Sequence, residues 1–137
     1  YMPEFMIAVE WQHDSLTELH ITKDMAERKY RMMIESDATI FLPGGCGTME
    51  EFFEWLSAKR LGKYTGPLII FNFEGYYDPL LELLENMERE KFHNPEHRQM
   101  WSVCNNLSDL NQVLEQAPAW SKEAIINASV RVNEEKK

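Results

Sequence analysis

Three groups of residues in this 137-residue chain have types and spacing suited to chemistry. They are the turn Pro43-Gly44-Gly45-Cys46-Gly47-Thr48, the carboxylate Glu51 just beyond it, and the basic pair Arg28-Lys29. Three glycines permit positive φ and remove side chains that would block a ligand. If the turn feeds a helix, the free N–H groups and dipole of the helix N-terminus favour an anion. A phosphate held there would take backbone hydrogen bonds and the Thr48 hydroxyl. The turn has neither the Gly-Lys-Ser/Thr ending of a P-loop nor the third glycine of a dinucleotide fingerprint. That excludes a standard NTPase and a standard dehydrogenase turn. The plainer alternative is a tight strand-to-helix connection, with Thr48 as cap and Glu51 closing a capping box onto it. From spacing alone the plainer alternative has the advantage, although a capping glutamate can also face a bound sugar.

These residues need elements to hold them. Phe5 to Val9 reads as a buried strand, and Leu19-His20-Ile21-Thr22 as a shorter one. Asp24, with Glu27 three residues on, predicts a capped helix carrying Met25, Met32 and Met33 to about Ser36. Ala38 to Leu42 is a buried strand stopped by Pro43. The spacing of Met49, Phe52, Phe53 and Leu56 predicts a helix over Thr48 to Leu61 with one buried face, ended by Gly62. Further along come a strand over Pro67 to Phe73, a helix over Tyr77 to Lys91 and a strand over Trp101 to Cys104. A helix capped by Ser108 then runs to Gln116, and from Pro118 a polar surface helix runs into a frayed tail.

Apolar strands alternating with helices, without a hairpin dipeptide, imply an α/β fold with parallel strands and crossover helices. In such sheets ligands bind beyond the carboxyl ends of the strands. If the connection through Ala38–Leu42 is a parallel crossover, Arg28 and Glu51 face one pocket.

The net charge of −9 argues against a nucleic-acid surface, though not against a small phosphorylated ligand. No apolar run approaches the roughly 18 residues of a membrane helix, and no signal-peptide pattern opens the chain. Cys46 and Cys104 lie far apart, so neither zinc nor a disulfide framework is indicated. These features predict a cytoplasmic domain without a membrane partner. The start at Tyr1, close to an apolar run, suggests that preceding sequence is missing.

The stretch Asp24-Met25-Ala26-Glu27-Arg28-Lys29, followed by Pro43-Gly44-Gly45-Cys46-Gly47-Thr48-Met49-Glu50-Glu51, resembles the LONELY GUY (LOG) family. Its members are cytokinin riboside 5'-monophosphate phosphoribohydrolases, often labelled possible lysine decarboxylases. The pattern is Met-x-x-Arg-Lys and then Pro-Gly-Gly-x-Gly-Thr-x-x-Glu. The similarity runs from about Phe5 to about Gln116 and includes Glu74-Gly75-Tyr76-Tyr77. The resemblance implies a Rossmann-like parallel sheet with flanking helices, here lacking its N-terminal strands and their own glycine-rich turn. Residues 1–117 would be the C-terminal portion of that domain and 118–137 a surface extension. It implies hydrolysis of the N-glycosidic bond of a nucleoside 5'-monophosphate such as AMP, with no cofactor and no metal. Arg28 and Glu51 match the family's essential arginine and glutamate. Gly44, Gly45, Gly47 and Thr48 match its phosphate and ribose cradle, lined also by Met25 and Lys29. Ala26 departs from the family's usual His, which bears on base recognition.

Other residues are assigned plainer roles. His93 and His97 lack a third ligand and read as surface residues, and Cys46 as a lining residue. Trp55 lies off the predicted buried stripe, so it is expected to mark a subunit contact in a homodimer or larger assembly. The runner-up function is a non-catalytic nucleotide- or molybdenum-cofactor-binding protein on the same scaffold. Lysine decarboxylation has little support, since no Lys lies in a recognisable pyridoxal-phosphate context.

Overall fold

The computed structural model describes residues 1–9 and 12–127. They fall into two compact units, divided between Ser36 and Asp37. All three strand pairings among the described residues are parallel, and helices flank the strands, as a Rossmann-like α/β fold requires.

In the first unit, β1 (Met2–Pro3) pairs with β2 (Ile21–Thr22), and α1 (Met25–Ile34) follows. The expected strand over Phe5 to Val9 does not form. Pro3 lacks an N–H, and beyond it a 3-10 turn at Glu4–Met6 satisfies the backbone locally, with Ile7 N–H donating to Glu4 O. Phe5, Ile7 and Val9 are exposed. The start of α1 follows the sequence pattern. Asp24 caps it by accepting from the Glu27 N–H at 2.8 Å, while Glu27 Oε2 accepts from the Lys23 N–H.

In the second unit, β3 (Thr39–Phe41), β4 (Leu68–Phe71) and β5 (Ser102–Cys104) form one sheet with β4 at its centre. Leu68, Ile69 and Ile70 are buried, which explains why this strand reads as an unbroken apolar run. Helix α2 (Cys46–Arg60) connects β3 to β4, and α3 (Asp78–Arg89) buries Leu80 and Leu84 between β4 and β5 in the chain order. Gly62 ends α2 at φ +69 as predicted. Gly62 N–H donates to Lys59 O, and Lys63 N–H to Ala58 O, closing the Schellman pattern.

Two helix details differ from expectation. Ser108 does not cap α4 (Leu110–Glu115): it lies within a 3-10 turn at Leu107–Asp109, and its hydroxyl bonds to Asp109 Oδ1. After Pro118 a 3-10 segment, Lys122–Asn127, replaces the expected helix, and the predicted tail lies outside the described residues.

Candidate functional site

The glycine turn leaves β3 at its carboxyl end, as predicted, but it works differently. None of its glycines has positive φ. Gly44 is required by packing, since a Cβ there would stand 2.2 Å from Thr48 Oγ1. No packing contact among the described residues requires Gly45 or Gly47, because a Cβ at either meets no such atom within 4 Å beyond the adjoining backbone. Their missing side chains therefore keep open the space in front of the turn.

Helix α2 begins at Cys46, two residues earlier than predicted, with Gly45 as its N-cap. Thr48 is thus inside the first turn and Glu51 inside the second, which removes the capping-box reading of that pair. Gly45 has no side chain with which to cap. The first intrahelical bond runs from Met49 N–H to Gly45 O, so the amides of Cys46, Gly47 and Thr48 have no intrahelical acceptor. Glu51 is half-buried and falls at helical spacing from Gly47 and Thr48, on the same face. Helical side chains lean toward the N-terminus, which carries its carboxylate back along that face toward the turn.

Two tyrosines also hold the turn. Tyr76 Oη donates to Gly44 O at 2.8 Å, and Tyr77 Oη donates to Leu42 O. Burial, and then the neighbouring Tyr76, push the Tyr77 hydroxyl above its ordinary pKa, while a hydrogen bond with the Gly44 backbone pulls the other way. The Tyr-Tyr pair stands within the family-like stretch of the sequence, yet nothing in its spacing marks it as a partner of the glycines. An open cleft of about 580 Å³ lies beside it, beyond the carboxyl ends of β4 and β5, lined by Asn72, Glu74, Asp78, Asn105 and Asn106.

Met25, Arg28 and Lys29 lie in the unit Tyr1–Ser36, all half-buried on α1. Met25 and Arg28 share a face, with Arg28 Nη1 4.0 Å from Met25 Sδ. Ala26 is exposed. The structure therefore brings together Gly44, Gly45, Gly47, Thr48 and Glu51 within one unit, and Met25, Arg28 and Lys29 within the other.

Among known families, residues 1–114 match the one described as possible lysine decarboxylase. The chain belongs to that family. A cytokinin riboside 5'-monophosphate phosphoribohydrolase from Rhodococcoides fascians is 43% identical over 107 residues, covering 77% of this chain and 54% of the relative. A probable enzyme of the same name from Oryza sativa subsp. japonica is 38% identical over 115 residues, covering 84% and 52%. One from Arabidopsis thaliana is 32% identical over 115 residues, covering 84% and 54%. The LOG resemblance carried by the two motifs is thereby borne out. The chain spans about half the length of these curated relatives.

The possible lysine decarboxylase description directs attention to lysines, and among the described residues Lys59 has an unusual environment. It is 2% exposed, and burial pushes its ammonium down to about 8. Its Nζ donates to Gly66 O at 2.7 Å, just ahead of β4 and so at the sheet edge opposite the glycine turn. Lys59 therefore ties α2 to the entry of β4 and has no place in the candidate site.

Two residues set aside from the sequence are more buried than expected. His97 is 1% exposed, its Nδ1 paired with the Asn94 N–H and its ring edge-on to half-buried His93. It caps the 3-10 turn Pro95–Met100 from within, so the His pair is structural and not a surface feature. Among the described residues no group of three metal-binding side chains occurs, and no helix is long and apolar enough to cross a membrane. Trp55 is 2% exposed, which removes it as a marker of subunit contact. Cys46 is exposed at the first position of α2, within the turn.

Proposed function

We propose that the chain is part of a hydrolase that cleaves the N-glycosidic bond of a nucleoside 5'-monophosphate, AMP or a cytokinin riboside monophosphate. The products are free base and ribose 5-phosphate. Residues 1–117 supply part of the catalytic domain and residues 118–137 an extension from it. The names of the relatives support the reaction, and one feature of this chain carries it. That feature is the uncapped start of α2, with open space at Gly45 and Gly47 and with Glu51 on the same helix face.

The 5'-phosphate binds the amides of Cys46, Gly47 and Thr48 and the Thr48 hydroxyl, where the helix dipole favours negative charge. The sugar then extends along the helix toward Glu51. As the bond from C1' to the base nitrogen breaks, its electron pair leaves with the base and positive charge spreads over C1' and the ring oxygen. A carboxylate beside C1' stabilises that charge or aligns the water that attacks there. The water's oxygen completes the new C1' hydroxyl, and its released proton balances the departing base. By the family resemblance Arg28 enters as the second essential residue, binding phosphate or orienting Glu51, with Met25 and Lys29 as further substrate-binding residues.

In this reading the protein acts in the cytoplasm, without cofactor, metal, nucleic acid or membrane partner, as a homodimer or larger. Assembly rests on the family resemblance alone, because Trp55 is buried. Incubating the full-length protein with AMP and with isopentenyl-AMP and assaying free base tests the reaction. Release of adenine or isopentenyladenine with equimolar ribose 5-phosphate is the expected result. Tight AMP binding without base release would favour the non-catalytic alternative.

A further inference from the structure

We propose that Tyr76 and Tyr77 are positioning residues that hold the glycine turn in its phosphate-accepting orientation, an inference that rests on the proposed phosphate site. A trans peptide carries its C=O and the next N–H on opposite sides of one plane. Tyr76 Oη holds the Gly44 carbonyl at 2.8 Å, so it also sets the direction of the Gly45 N–H, which belongs to the same peptide. That N–H is turned away from the tyrosine. Gly45 is also where a side chain would meet no protein atom. Tyr77 anchors the Leu42–Pro43 peptide, two units earlier, at Leu42 O, where Pro43 brings no N–H of its own.

The anchoring matters because a Gly-Gly peptide rotates at little steric cost. If the Gly45 N–H joins the amides of Cys46, Gly47 and Thr48 on the phosphate, a half-turn of the Gly44–Gly45 peptide would replace that donor by a carbonyl oxygen, which repels phosphate. The Tyr76 hydroxyl opposes that rotation by giving the carbonyl a partner on the protein side.

The loop that delivers the tyrosines is itself closely specified. Asn72, 7% exposed, accepts the Tyr77 N–H at 2.7 Å and donates to Asp78 Oδ1 at 2.8 Å. Glu74 and Gly75 take the left-handed region at φ +51 and +75, an arrangement that costs energy at Glu74. A Cβ on Gly75 would stand 2.7 Å from Asp78 Oδ2. The two rings then meet edge to face at 5.0 Å, with Tyr77 buried and Tyr76 half exposed beside the turn.

The test compares full-length wild type with Tyr76→Phe, which removes one exposed hydroxyl, and with Tyr77→Phe. Melting temperature, AMP hydrolysis, and binding of ribose 5-phosphate and of adenosine are measured on each. For Tyr76→Phe we expect a melt close to wild type, an AMP KM raised on the order of 10-fold, and a much smaller change in kcat. Ribose 5-phosphate should lose affinity by a similar factor, while adenosine, which lacks the phosphate, should bind as before. A phosphate-bearing ligand that binds wild type and both variants equally, or an equal loss for adenosine in each variant, overturns the positioning role while leaving the hydrolase reading intact. A wild-type protein that neither binds ribose 5-phosphate nor cleaves AMP overturns both. Tyr77→Phe covers the case where the first hydroxyl alone is too weak: if neither variant separates phosphate-bearing from phosphate-free ligands, the inference fails.

Discussion

The indole Nε1 of Trp55 donates to Thr39 Oγ1 at 3.0 Å, joining α2 to β3 on either side of the glycine turn. Thr39 also meets the Tyr64 hydroxyl at 3.2 Å, and that hydroxyl reaches Pro67 O at the entry of β4. The turn is therefore a short bridge between two elements already fixed to each other. Trp55→Phe removes the donor and part of the ring, leaving Thr39 with Tyr64. It should lower stability by roughly 1–3 kcal/mol, read by urea or thermal unfolding. Light scattering should show an unchanged assembly state, since the ring is buried within its own unit. A change of assembly with no loss of stability would return Trp55 to the subunit surface.

The glycines of the turn should separate by role. At Gly44 an added methyl collides with Thr48 Oγ1, so Gly44→Ala should distort the turn and lower both melting temperature and activity. At Gly47, inside α2, where a Cβ meets no packing neighbour among the described residues, alanine is the better helix former and should leave stability equal or higher by about 0.5–1 kcal/mol. The same methyl intrudes where the phosphate is proposed to bind. A full-length Gly47→Ala protein should therefore melt at or above wild type while its AMP KM rises on the order of 10-fold or more. Unchanged kinetics in that variant would remove the phosphate from this position.

Much of this was legible because local chemistry dictated it. The Asp24 cap, the Gly62 terminator and the all-apolar β4 each follow from residue type. Where the buried face of α2 was misread, the cause is a tertiary contact that spacing cannot reveal. The buried stripe of α2 was read through Met49, Phe52, Phe53 and Leu56, all apolar. The observed stripe is Phe52, Trp55, Leu56 and Lys59, rotated because Lys59 finds Gly66 O and Trp55 finds Thr39. A lysine in an apolar stripe hides it from pattern reading. Likewise Phe5 to Val9 has strand composition, but no neighbouring strand pairs with it among the described residues. In the candidate site, residue types alone singled out Gly44, Gly45, Gly47, Thr48 and Glu51. The roles of Gly45 and Gly47 as clearance, and the grip of Tyr76 and Tyr77, needed coordinates.

Lys59 makes stability depend on pH in a definite direction. Unfolded, its ammonium holds a proton to about 10.5, and burial lowers this to about 8 in the fold. Between those values the unfolded chain binds more protons, so this group makes stability rise with pH across that window. Below pH 8 both states are protonated, and the fold bears the full cost of the buried charge. Comparing wild type with Lys59→Met removes the contributions of other titrating groups. The wild type should gain on the variant by on the order of 3 kcal/mol between pH 7 and pH 10.5, measured by urea unfolding. A constant difference would mean that Lys59 keeps its charge throughout, with Gly66 O fully compensating its burial.

The mechanism is tested most directly at Glu51. The helix starts at Cys46, so Glu51 closes no capping box, and glutamine has nearly the same helix propensity. Glu51→Gln should therefore leave the melting temperature close to wild type. If the carboxylate faces C1', the same exchange removes a full charge from the reacting centre and should lower kcat by on the order of 100-fold or more. Arg28→Ala should also cripple turnover in the full-length enzyme, whether it acts on the phosphate or on Glu51. The two roles separate by ligand: a phosphate-binding Arg28 loses affinity for ribose 5-phosphate, whereas one that orients Glu51 loses kcat and keeps that affinity. Ala26→His, at an exposed position of α1, should leave the chemistry in place and at most change the preference between AMP and isopentenyl-AMP. A well-folded Glu51→Gln protein releasing adenine from AMP at near wild-type rate would sink the catalytic assignment, because no other feature of the turn supplies negative charge beside the breaking bond.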